Sequence, residues 1–241
     1  MIPLLVASLA GLSLPGPTPT VETPLMTADA QWALVAATVR VAAGAGRPPF
    51  GTAVCVGARG GASFLLTASH VVPAGEARSY ELFARASYPA PSEVLFEGDV
   101  VLRLPECDLA LVKVTPAGDL PAVPLARLDQ RPRRFPVAAL ALGCPDGDAP
   151  AVRREVLTGR RLMKRPEGNG VFWETAGSPR GGMSGGPLVD GAGRLLGVCA
   201  ASRDGQGYST HADEILAGLK RHGYGWLADG PRKPAADSPT P

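Results

Sequence analysis

The feature that most constrains this chain is its punctuation. From residue 31 to residue 211 it breaks into about twelve short apolar runs separated by Gly, Pro and Asp, the spacing of antiparallel barrels or sandwiches. The first six are QWALVAATVRVA, GTAVCVGA, SFLLTA, YELFARASY, VLFEGDVVLRL and DLALVKVT. The second six are VAALALG, REVLTGRRL, VFWET, GPLVD, RLLGVCAAS and GYSTH. Within YELFARASY, Leu82, Ala84 and Ala86 alternate with Glu81, Arg85 and Ser87, the pattern of a half-buried strand. With 30 glycines and 25 prolines, long helices are disfavoured. One helix is expected, Ala212 to His222. Ile215, Leu216 and Leu219 form its stripe, Asp213 and Glu214 lie in its first turn, and Gly223 stops it. The chain therefore reads as all-β with a C-terminal helix.

The proline- and arginine-rich piece LARLDQRPRRFP, residues 125–136, divides the runs six and six. The expected globular part is 31–229, with a first half at about 31–125, a second at about 135–211 and the helix at about 212–222. Residues 230–241 read as a disordered tail. Residues 1–30 read as a leader and linker. Residues 2–14 are an apolar run suited to a signal peptide and too short to span a bilayer, and Ser8 and Ala10 are small enough for a cleavage site. No Lys or Arg precedes the run, since the first is Arg40, so a plain apolar N-terminus stays open beside a secreted or periplasmic location. No other segment is suited to a membrane.

RGGMSGGPLVD, residues 180–190, places four glycines and a proline around Ser184. A serine hydroxyl becomes a nucleophile only beside a base, which in turn works best when a third group orients it. Three histidines are available. His222 closes the expected helix as a surface residue, and His211 opens it as a cap or a solvent-facing side chain. His70 ends the run LLTASHVV at a strand edge, where it is either a base or a histidine satisfied in place. Asp108 precedes the strongly apolar run LALVKV and is either a turn residue or a buried carboxylate in need of a partner. Asp99 reads as an ordinary turn residue. Acyl transfer also requires two N–H groups aimed at a developing oxyanion, in conformations that glycine tolerates; Gly182 and Ser184 are the natural pair.

Gly182 to Gly186 also satisfies G-x-S-x-G, the nucleophile elbow of α/β-hydrolases. That elbow needs a helix directly after the serine and the order Ser, Asp, His. Here Gly185, Gly186 and Pro187 follow, and the order is His70, Asp108, Ser184.

The segments GTAVCV with LLTASHVV, then CDLALVKV, LALGCP and WETAGSPRGGMSGGPLVDGAGRLLGVCA resemble trypsin-like serine peptidases. The style is that of the bacterial HtrA-like and glutamyl-endopeptidase branch. The resemblance spans about residues 45–211. It implies a double six-stranded antiparallel β-barrel with Ser184 as nucleophile, His70 as general acid–base, Asp108 as its orienter, and Gly182 and Ser184 as the oxyanion hole. It also implies that Ser178 lies at the base of the pocket for the P1 side chain (the residue on the acyl side of the cut), with Cys199, Ala200, Ala201 and Ser202 as wall and edge strand. Ser178 disfavours a trypsin-like preference for Lys or Arg, whereas Arg180 or His211 would favour an acidic P1. Met183 stands where digestive members carry an aspartate, Val71 where a cysteine is usual, and Cys144 where HtrA-like proteins show asparagine. No PDZ-like segment follows the last run.

The function implied is a serine endopeptidase acting on polypeptides, with a catalytically silent peptide-binding module or an esterase as alternatives. A net charge of +2 without a basic run argues against nucleic acid. Cys55, Cys107, Cys144 and Cys199 have no metal-ligand spacing, so no metal or other cofactor is expected. They are buried free thiols or, after export, a disulfide. The sequence does not set the oligomeric state.

Overall fold

The computed structural model describes residues 26–44, 47–95 and 97–229. The leader at 1–25 and the tail at 230–241 lie outside the described residues. The first half comprises α1 (Ala28–Ala36), β1 (Thr38–Ala43), β2 (Arg47–Arg59), β3 (Ala62–Ala68), β4 (Arg78–Leu82), β5 (Glu93–Leu95), β6 (Asp99–Leu104) and β7 (Leu109–Val114). The second comprises β8 (Val137–Gly143), β9 (Ala151–Arg165), β10 (Gly168–Thr175), β11 (Pro187–Val189), β12 (Leu195–Arg203) and β13 (Gln206–His211), and then α2 (Ala212–Arg221). All strand pairs are antiparallel. The second half closes into a six-stranded barrel in the order β10-β13-β12-β11-β8-β9. The first is a seven-stranded sheet in the order β5-β4-β1-β2-β3-β7-β6. Among the described residues no helix is long and apolar enough to cross a membrane.

The fold is the all-β arrangement expected, with three local departures. First, VLFEGDVVLRL is two strands, so the first half has seven rather than six. The Cα of Gly98 lies against the Tyr80 ring, where an added Cβ would come within 2.5 Å, and on either side of it the chain pairs with different strands, β5 with β4 and β6 with β7. Second, QWALVAATVRVA opens as a helix. Thr27 caps α1 by accepting from the Ala30 N–H at 3.2 Å, Asp29 sits in the first turn, and the strand begins only at the β-branched Thr38. Residues 28–30, expected in the linker, form the first turn of this helix. Third, YELFARASY is a strand only to Leu82 and then turns, with the Ser87 and Tyr88 N–H groups both returning to the Ala84 carbonyl.

The non-alternating runs are explained by burial on both faces. In β3 all seven residues are buried. Leu65 joins Ala53, Cys55, Ala110 and Val112 inside the first sheet. Phe64 and Leu66 join Val54, Leu109 and Leu111 in a second core shared with Leu140, Leu142, Phe172 and Val198 of the other barrel and with Ile215 and Leu219 of α2. The period of two therefore sorts apolar residues between two cores rather than between core and water. A third cluster, with Leu157, Trp173, Leu188 and Leu196, fills the closed barrel.

The connection at 125–136 packs rather than floats. Leu125 bridges to Leu195, and the buried Arg131 guanidinium donates to the Ala126 carbonyl and pairs with Asp213 at the start of α2. The helix itself ends one residue earlier than expected, with His222 as its exposed C-cap and Gly223 left-handed after it.

His211 caps α2. Its Nδ1 accepts the Asp213 N–H at 3.0 Å, and its ring lies 4.0 Å from that of Trp173 at 32°. Burial pushes its pKa from 6.5 down to about 4; the Asp213 carboxylate opposes this, and Arg131 and Arg160 add to it. The folded pKa is the lower one, so the unfolded chain binds the proton first. The ring's contribution is complete above about pH 6.5 and is lost as pH falls toward about 4, a change of about 3 kcal/mol. His211→Asn keeps a capping acceptor without the titration. Urea unfolding from pH 7 to pH 4 should show this loss in the parent and a flatter profile in the variant.

Candidate active site

Two strand ends bring His70 and Asp108 together. Ala68, the last residue of β3, pairs with Leu109, the first of β7. Ser69, which follows β3, therefore faces Asp108, which precedes β7, and the Ser69 N–H donates to the Asp108 carbonyl at 3.1 Å. His70 follows in a 3₁₀ turn, Ser69–Val71. Asp108 follows another, Pro105–Cys107, and sits in the left-handed region at φ 54° and ψ 47°, which aspartate tolerates better than most residues. Its carboxylate is 4% exposed and accepts twice from His70: from the backbone N–H at Oδ1 (3.1 Å) and from Nδ1 at Oδ2 (2.7 Å). A neutral imidazole paired in this way keeps its proton on Nδ1 and presents a lone pair at Nε2. The His70 side chain is half exposed, so the ring is held on one edge and open on the other. Arg165 of β9 places a guanidinium nitrogen 3.5 Å from Asp108 Oδ2, a compensating charge supplied by the other barrel.

The loop carrying Ser184 is tied to the first sheet through Thr52 of β2. The Thr52 N–H donates to the Ser184 carbonyl at 2.8 Å. Its hydroxyl donates to the Gly182 carbonyl at 2.7 Å and accepts from the Cys144 N–H at 3.0 Å. Its carbonyl accepts from the Thr67 hydroxyl at 2.6 Å. Around this residue the chain runs too close for side chains. Gly182 has φ 84°, and an added Cβ would fall 2.2 Å from the Cys144 carbonyl oxygen. Gly185 has φ 87°, and its Cβ would fall 1.9 Å from the Thr52 carbonyl oxygen. The Gly181 carbonyl accepts from the Asp146 N–H at 2.6 Å. In a trans peptide the N–H opposes the C=O, so the Gly182 N–H points away from Asp146. Among the described residues, neither the Gly182 nor the Ser184 N–H donates to a protein acceptor.

The expected specificity residues divide. Cys199 lines a cavity of about 20 Å³ with Met183, Pro187, Leu188, Glu155, Tyr208 and others. Its carbonyl accepts the Gly185 N–H at 2.7 Å, next to Ser184. β11 reaches only to Pro187 opposite Val198, whereas β13 continues along β12 to Arg203. Beyond Cys199, at Ala200, Ala201 and Ser202, β12 therefore has one open edge among the described residues. Ser178 is half-buried, and its carbonyl accepts from Arg153 at 2.6 Å. Arg180 is exposed and pairs with Asp146. His211 is absent from the cavity lining; its ring is buried against Trp173 and caps α2, so the acidic-P1 role considered for it is not supported. Met183, in place of an ion-paired aspartate, is buried with its backbone and Cβ against Gly143. Two larger open grooves, each about 410 Å³, share only Tyr208 with this cavity and are lined by none of the expected specificity residues.

Thr52, Arg165, Arg153 and Glu155 were not singled out from the sequence. Glu155 is the one acidic residue of the run REVLTGRRL, but three arginines share that run and nothing local sets it apart.

Against known proteins, the profile described as a trypsin-like peptidase domain matches residues 51–198. The chain belongs to the trypsin-like peptidase family. No curated protein matches it significantly. Among solved structures it is similar to the active form of the Rv3671c protease from M. tuberculosis, at 20% identity and TM-score 0.66, covering 89% of this chain and 95% of that one. It is also similar to the HtrA-type protease AlgW with a tripeptide, at 27% identity and TM-score 0.63, covering 80% of this chain and 64% of that one. A third is the serine endoprotease from Yersinia pestis, at 22% and TM-score 0.61, covering 83% and 68%.

All four cysteines are free and buried. Burial pushes the Cys55 thiol up to about 11 and those of Cys107, Cys144 and Cys199 to about 12. An aromatic disulfide reagent at pH 8 should find no fast-reacting thiol in the folded protein and all four after denaturation. A second expectation concerns Thr52. Thr52→Val keeps the shape but leaves the Gly182 carbonyl and the Cys144 N–H without their partner, at a cost of about 2 kcal/mol. Denaturant titration should show that loss, and Thr52→Ser should recover most of it.

Proposed function

We propose that the protein is a serine endopeptidase that cleaves peptide bonds through an acyl-enzyme. The observation that carries this reading is the buried Asp108 carboxylate gripping His70 at both its N–H and its Nδ1, with the far edge of the ring exposed. The Thr52 clamp supports it. Thr52 ties the Ser184 loop to β2, and the neighbouring pair Ala53↔Thr67 ties β2 to the end of β3, three residues before His70.

In this mechanism Ser184 Oγ attacks the scissile carbonyl while His70 Nε2 takes its proton. The Gly182 and Ser184 N–H groups stabilise the oxyanion. His70 then delivers the proton to the leaving amine, and the acyl-enzyme forms with loss of the C-terminal fragment. Water, deprotonated by His70, hydrolyses the ester and restores Ser184. Asp108 stays ionised throughout, holding the ring's orientation and stabilising the imidazolium, and Arg165 offsets the cost of its burial. The open edge at Ala200–Ser202 suits an extended polypeptide backbone. The apolar run at residues 2–14 supports export of the enzyme.

The test is labelling with a fluorophosphonate probe beside peptide hydrolysis. The parent protein should be labelled and should cut peptides. Ser184→Ala should lose labelling and lower kcat by about 10⁶. Silence from folded parent protein would point instead to a peptide-binding module. Equal hydrolysis by the variant would exclude the triad.

A further inference from the structure

The closed barrel has a charged pair where an apolar residue is the rule. On β9, Arg153, Glu155 and Leu157 face inward, toward the layer that holds Ala139, Trp173, Leu188 and Leu196. Across the ladder, Glu155 pairs with Ala139 and Arg153 with Ala141, and these small partners leave room for the longer side chains. The Glu155 side chain is 6% exposed, and Arg153 Nε stands 2.9 Å from its Oε1. Burial raises the Glu155 pKa and Arg153 opposes the rise. Among the described residues, no other donor reaches this carboxylate. A buried carboxylate with one partner is costly and needs a reason.

Its position supplies one. Glu155 lines the cavity of about 20 Å³ together with Met183, Pro187 and Cys199, of which Met183 precedes Ser184 in the chain and Cys199 accepts the N–H of the residue after it. Arg153 is anchored at the same end by its 2.6 Å bond to the Ser178 carbonyl. Its terminal nitrogen lies 2.4 Å from where a side chain at Gly177 would begin, so the guanidinium fills the space there. The remaining volume is of the order of one water molecule.

We propose that Arg153 and Glu155 form a charge lock at the floor of the P1 pocket, restricting the P1 residue to small uncharged side chains such as Ala or Ser. The proposal rests on the peptidase reading. Glu155 lines the cavity and Arg153 holds it from behind. An acidic P1 side chain meets the Glu155 carboxylate, and a basic one finds that carboxylate already paired, so either must displace Arg153 from its buried partner to enter. The volume excludes long side chains while Arg153 is in place. Specificity then comes from repulsion as much as from fit.

The test is a peptide-library digest read by mass spectrometry, with the parent protein, Glu155→Gln and Arg153→Gln, each also labelled with the fluorophosphonate probe. The parent should cut after small uncharged residues. Glu155→Gln leaves Arg153 unpaired and should raise kcat/KM for Asp or Glu at P1 by at least about tenfold; Arg153→Gln should do the same for Lys or Arg. A parent preference for a charged P1 overturns the proposal, whether or not the variants fold. Two labelled variants that keep the parent's P1 profile overturn it as well. A folded parent that is neither labelled nor active overturns the peptidase reading itself, and the lock with it.

Discussion

Thr52 is the joint on which the site depends. It is a buried residue of β2, yet its N–H, hydroxyl and carbonyl reach the Ser184 loop, the Cys144 turn and β3. The serine loop belongs to one barrel and the His70–Asp108 pair to the other. Apolar contact alone holds two such halves together without fixing their register to a fraction of an ångström. Directional bonds to backbone groups on either side of Ser184 do fix it. The glycines at 182 and 185 are the other side of the same arrangement, since the loop lies against carbonyl oxygens too closely for any Cβ.

Charge is handled differently at the two ends of the site. Asp108 is buried, and its burial is relieved by two bonds from His70 and a guanidinium from β9. Glu155 is buried with Arg153 alone. The first arrangement gives each carboxylate oxygen a donor and leaves one edge of the imidazole open. The second keeps two opposite charges neutralised beneath the serine loop. β9 contributes to both, so one long strand carries electrostatic control to the whole cleft.

Much of this was legible in the sequence, and the limits have physical causes. The six strands of the second half and α2 follow from periodicity and punctuation. Ser184, His70 and Asp108 stood out because motif-like segments surround them, and the structure brings His70 and Asp108 into contact. The seventh strand was hidden because β5 pairs with β4 and β6 with β7, a change of partner around the Gly98–Tyr80 contact that no local pattern shows. α1 was hidden because Ala, Leu and Val satisfy either periodicity over so short a run, and one capping threonine decides the outcome. Thr52 reaches the serine loop and the Cys144 turn through partners 130 and 92 positions away, and Arg165 reaches across to Asp108 of the other half, and no local pattern records that. His211 was legible as a cap, but its burial under Trp173 was not.

The doubly buried strand β3 has a consequence for the integrity of the chain. One face of β2, β3 and β7 is the interior of the first sheet, and the other is the surface on which the second barrel and α2 rest. Cutting the molecule between its halves would bare Val54, Leu66, Leu109 and Leu111 on one fragment and Leu140, Leu142, Phe172 and Val198 on the other. Each fragment would then expose a continuous apolar patch of the kind that aggregates. The sheet and the barrel are separate in topology and inseparable in water. Neither half buries its apolar face without the other.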